Sequence, residues 1–114
     1  MMRLTAAAIL AANDLAQETV EVPAWGGSVT VRELSVGERG AMALLADRAP
    51  EDLPAWLVAA AALDANGGPL FPPDEREANV KALSAKAQEP IKALAEAIMR
   101  LSGFGEQQQD VEKN

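Results

Sequence analysis

The chain contains no cysteine, no histidine and no tyrosine. Without cysteine there can be no disulfide and no thiolate metal site, a composition suited to a reducing cytosol. Without histidine, acid–base work would fall to carboxylates or lysines, and nucleophiles shrink to a few Ser and Thr. No serine sits in a G-x-S-x-G elbow, and neither a P-loop nor a dinucleotide fingerprint is present. Gly103-Phe104-Gly105 lacks both a third glycine and a preceding strand. No apolar run approaches the ~18 residues needed to span a bilayer. Basic residues are scattered singly from Arg3 to Lys113, so no cluster can track phosphates, and the net charge of −7 repels anionic surfaces. These absences point away from an enzyme, a cofactor, a nucleic-acid partner and a membrane partner.

What is abundant is alanine, 24 of 114 residues, against two Phe and two Trp. Alanine favours helix but buries little apolar area per residue. A single domain of this length therefore has a thin core, and self-association is a natural remedy. Leu4 to Ala12 has the apolar character of a short signal-peptide core. It runs into Asn13-Asp14 without a small-x-small cleavage site, so it reads instead as a short helix capped by Thr5. The protein is expected to stay in the cytoplasm where it is made.

From Glu18 to Leu34 the pattern changes to ETVEVPAWGGSVTVREL. Val20 and Val22 alternate with acids. Beyond the Pro23-Ala24-Trp25-Gly26-Gly27 break, Val29 and Val31 alternate with Ser28, Thr30 and Arg32. Two period-two runs around a Pro/Gly break predict a β-hairpin over about 18–33 with one apolar face. Such a ribbon is marginal alone and has to be covered by helices or by a partner.

The rest reads as helices. Ser35-Val36-Gly37-Glu38 has the capping-box form and opens a helix to about Arg48, with Ala41, Leu44 and Leu45 expected inward. A second helix from near Asp52 is apolar nearly all round from Ala55 to Leu63, which predicts the most buried element, with Trp56 in the core. The turn DANGGP follows, with Leu70-Phe71 expected to tuck back onto the core. A third helix spans Asp74 to about Leu83. After a break at Ser84 to Ala87, a last helix carries the stripe Ile91, Leu94, Ala95, Ile98, Met99 and Leu101, and Gly103 stops it. The expected fold class is α+β, mainly α: an N-terminal hairpin packed on a bundle of three to four short helices. One domain covers 1–104, and 105–114 is a polar, flexible tail.

Asp64, Asn66 and Glu75 fall at positions one, three and twelve of a calcium-type loop. Pro69 nevertheless occupies the position where the sharp turn needs glycine, so a polar turn between helices is the simpler assignment and no metal is expected. Trp25 at the hairpin tip can fold back over the valine face or stand out as an interface anchor, and the sequence leaves both open. Together with Val29 and Val31 on the hairpin, and Ile91, Ile98 and Met99 on the last helix, it forms the set of expected protein-interaction residues. All six are equally eligible for the core.

Certain segments carry a likeness by their order and spacing: LTAAAILAANDLAQETVEVPAWGGSVTVREL from Leu4 to Leu34, then SVGERGAMALL. DANGGPLF from Asp64 to Phe71, EAIMRLSGF from Glu96 to Phe104, and a closing DVEKN complete it. In that order the chain resembles the tail assembly chaperones of long-tailed, non-contractile bacteriophages and their prophages, in their short, non-frameshifted form. The resemblance implies a non-catalytic, oligomeric protein of the bacterial host cytoplasm, absent from the mature virion. It would bind the tape measure protein and recruit tail tube subunits. A structural minor tail or head–tail connector protein is the alternative role.

Overall fold

The computed structural model describes residues 2–104. The tail expected over 105–114 lies outside the described residues. The first element is the helix α1 (Ala6–Ala11), whose start is capped as expected, the Ala8 amide donating to Thr5 Oγ1 at 3.1 Å.

Strands β1 (Gln17–Val22) and β2 (Gly27–Arg32) then form an antiparallel hairpin in the register Val20 to Val29 and Thr19 to Thr30. Pro23–Trp25 make one 3-10 turn at the tip, and Gly26 closes it at φ 73°, a conformation that L side chains rarely adopt. The period of two puts Val20, Val22, Val29 and Val31 on one face, where α5 covers them. On the other face the Thr19 and Thr30 hydroxyls meet at 2.9 Å.

Four helices follow: α2 (Val36–Arg48), α3 (Leu53–Ala61), α4 (Arg76–Ser84) and α5 (Gln88–Leu101). The capping box at α2 is complete, with Glu38 N–H on Ser35 Oγ at 3.2 Å and Ser35 N–H on Glu38 Oε1 at 2.9 Å. Helix α3 is the most buried, losing Ala55, Leu57, Val58, Ala59, Ala60 and Ala61 to the interior. Its small side chains let α4 and α5 pack closely beside it. From α5, Ile91, Leu94, Ala95, Ala97 and Ile98 complete the core.

Four expectations are corrected. Helix α3 does not run to Leu63: Ala62 and Leu63 are extended as a third strand, β3 (Ala62–Leu63), pairing with Val31 and Thr30 at the β2 edge. Helix α2 does not turn Ala41 and Leu44 inward. Both are exposed, Leu44 by 72%, and Met42 and the half-buried Leu45 face the body instead. After the turn, Phe71 packs on the core but Leu70 stays 43% exposed. Trp56, expected in the core, is half-buried at its margin.

Candidate protein-binding surface

Arginines hold the frame on which any binding surface must sit. Helix α3 ends by passing directly into β3, leaving its last carbonyls without helical donors. The Arg32 guanidinium from β2 donates to Ala60 O at 3.0 Å, and Arg76 from α4 donates to Ala59 O. Arg32 also grips Glu38 with two bonds of 2.7 and 2.9 Å, joining the hairpin to the start of α2. Burial by itself raises the pKa of Glu38, but the bonds from Arg32 and Ser35 outweigh it and hold the carboxyl below its ordinary value. The buried Ser102 locks the end of α5 to the same junction. Its hydroxyl donates to Ile98 O at 2.7 Å and accepts from the Leu34 amide at 2.9 Å. Arg39 donates to Ser102 O and lies 5.1 Å over the Phe104 ring.

Two apolar clefts open on this frame. One, of about 850 Å³, runs between the start of α3, the α4–α5 turn and α5. Pro54, Ala55, Leu83, Ile91, Ala95 and Met99 line it, with Lys86, Lys92, Glu96 and Arg100 around them. The other, of about 870 Å³, lies between α2, α3 and α4 and is lined by Ala41, Leu44, Leu45, Trp56 and Val80. Its charged lining residues carry both signs: Arg48, Asp52, Arg76, Glu77 and Lys81.

The six expected interaction residues separate. Val31 and Ile98 have no accessible surface and Ile91 almost none, so they are core residues. A side chain with no exposed surface offers nothing to a partner, which removes Val31 and Ile98 from the contact set. Met99 is half-buried in the α3–α5 cleft. Val29 is half-buried beside the hairpin tip, and Trp25 at that tip stands 41% exposed. Sequence reasoning missed Leu44 as a surface residue. The apolar residues from Ala41 to Ala46 surround the helix and leave its inner face undefined.

The calcium-type spacing has a local explanation. Asp64 Oδ1 accepts from the backbone amides of Asn66 and Gly68 at 2.8 and 2.9 Å, the pattern of an Asx turn. Among the described residues no three carboxylates gather, and no helix is long and apolar enough to cross a membrane.

No family model matches the sequence, and no curated protein matches it. Among solved structures the fold is similar to that of the bacteriophage HK97 tail assembly chaperone. The TM-score is 0.63 at 21% identity, over 82% of this chain and 88% of that one. At that identity the likeness is one of fold: a mainly helical α+β domain with an N-terminal hairpin.

Proposed function

We propose that this protein is a non-catalytic chaperone of phage tail assembly. In the host cytoplasm it would coat the tape measure protein, recruit tail tube subunits, and stay out of the finished particle. The observation that carries the reading is a fold shared with a tail assembly chaperone over most of both chains. The order of segments from Leu4 to Phe104 supports it independently.

The surface chemistry suits the role. A chaperone for a long apolar helical client needs apolar surface, moderate affinity at each contact, and a soluble complex. The α2–α4 cleft supplies Leu44 and Trp56, and the hairpin supplies Trp25 and Val29, as client contacts. Each patch is small, so many copies along one client would add up to avidity while each remains releasable. The net charge of −7 keeps coated complexes apart.

Co-expression with the tape measure protein encoded nearby tests the proposal. The client should remain soluble beside the wild-type chain and precipitate beside Leu44→Glu or Trp25→Ala. A client that precipitates equally with the wild type refutes the role. Mass spectrometry of purified particles should find no copies of the chain; a fixed copy number would mean a minor tail or connector protein instead.

A further inference from the structure

We propose that Asn66 is a site of spontaneous covalent modification, where the turn after β3 deamidates to a mixture of aspartate and isoaspartate. The reaction begins when the next residue's amide nitrogen reaches the asparagine Cγ, and a side chain on that next residue stands in its way. Of the asparagines in the chain, Asn66 is the one followed by glycine. Nothing lies within 4 Å of where a Cβ on Gly67 would be, so the approach is clear on all sides. Asn13 is followed instead by Asp14, and Asn79 by the β-branched Val80 inside α4.

The turn permits the attack. Asn66 is exposed, and only its backbone amide is tied down, donating to Asp64 Oδ1 at 2.8 Å. The attacking nitrogen belongs to Gly67, which donates to Asp64 O at 3.1 Å. Opening one exposed bond of ordinary strength slows ring closure about fivefold and does not prevent it. Gly67 stands at φ 84°, in a region that glycine enters and leaves without a Cβ penalty. Asn79 is the opposite case, with its Nδ2 buried and its backbone held in α4.

The Gly67 nitrogen bonds to Asn66 Cγ and gives up its proton to solvent, while Nδ2 leaves as ammonia. Water then opens the resulting succinimide at either carbonyl. Opening at Cγ restores the ordinary main chain with an aspartate. Opening at the main-chain carbonyl frees the α-carboxylate and routes the chain through Cβ and Cγ, as isoaspartate with one extra methylene. Either product adds one negative charge to the net −7.

The extra methylene falls where register matters. Asp64 N–H donates to Gly68 O at 2.8 Å to close the turn, and beyond it Leu70 N–H donates to Ala62 O at 2.9 Å. Leu63 is bridged to Pro69 as well, so these residues cover the edge of β3 that β2 leaves free. Phe71 follows directly onto the core. Lengthening the main chain between Asp64 and Gly68 shifts this register and releases Leu70 from β3, whereas an aspartate keeps the spacing and the closure. The modification does not depend on the chaperone role, because the proposed client residues Leu44, Trp56, Trp25 and Val29 lie on other elements.

The test ages the full-length chain at body temperature in mildly alkaline buffer and maps its peptides by mass spectrometry, with protein isoaspartyl methyltransferase as the probe for isoaspartate. Conversion at Asn66 should outpace that at Asn13 and Asn79 by roughly tenfold or more, because only Gly67 lacks the obstructing Cβ. Isoelectric focusing should show a species one charge more acidic, and Asn66→Gln should form neither that species nor a methylated turn peptide. Aged wild type should lose hydrogen-exchange protection at the Leu70 amide in step with its isoaspartate content, while fresh Asn66→Asp should keep it. Conversion at Asn66 no faster than at Asn13, or an acidic species that forms equally in Asn66→Gln, overturns the site. Full Leu70 protection in isoaspartate-rich protein overturns the structural consequence.

Discussion

Arg32 does three things at once, and its removal should show it. The guanidinium holds Glu38 in a two-bond grip, caps the end of α3 through Ala60 O, and bonds Glu33 O. Arg32→Met keeps the length but leaves a largely enclosed carboxylate and an orphaned carbonyl. The expected loss is about 2 kcal/mol in urea unfolding, below the range for a deeply buried pair because water still reaches both groups. Glu38 adds a pH signature. Its folded pKa lies below the unfolded value, so its contribution is complete above the ordinary glutamate value of 4.5 and drains away as pH falls through the folded one. Wild type should therefore lose more stability on acidification below pH 4.5 than Glu38→Gln, with Tm as the readout. Ser102→Ala strands the buried Leu34 amide and should lower stability by about 1–3 kcal/mol. Of these residues the sequence announced Ser35 and Glu38 through their spacing. The Arg32, Arg76 and Ser102 contacts join positions 28, 17 and 68 apart, which no local pattern encodes.

At the scale of elements, alternation and helical stripe were enough for the hairpin and for α5, since each has one apolar face and a strong period. The α3 to β3 change was hidden because Ala62 and Leu63 continue an apolar, helix-favouring run. The ladder to Thr30 and Val31 overrides that preference, and ladder pairing is a tertiary fact. In α2 the apolar residues encircle the helix, so choosing Leu44 as inward had no physical footing. Paired substitutions test the structure's answer. Leu44→Glu, on a 72% exposed side chain, should change stability by no more than about 0.5 kcal/mol. Leu34→Ala, at 1% exposure where β2 meets α2, should lose about 2–5 kcal/mol in the same denaturation assay. If Leu44→Glu proves the more damaging, α2 is docked the other way round.

For the whole molecule, two opposing tendencies set its behaviour in solution. The core is built largely from alanine and leucine, and Leu4, Leu10, Leu44 and Val36 are left outside, which favours association. The net charge of −7 opposes it by repulsion between like copies. The candidate contact residues could be listed from sequence but not sorted, because core and interface use the same side chains and only packing distinguishes Ile98 from Met99. The balance predicts a salt response. Added salt shortens the Debye length from about 30 Å at 0.01 M to about 3 Å at 1 M, which weakens the repulsion and leaves apolar burial in place. Contacts between exposed apolar side chains such as Leu4, Leu10 and Leu44 should thus strengthen, and sedimentation should show heavier species at high salt than at low salt for the wild type. A Leu10→Glu/Leu44→Glu variant should show a smaller shift. Should salt instead dissolve the wild-type assemblies, ion pairs are holding the copies together, and exposed apolar surface is not the dominant contact.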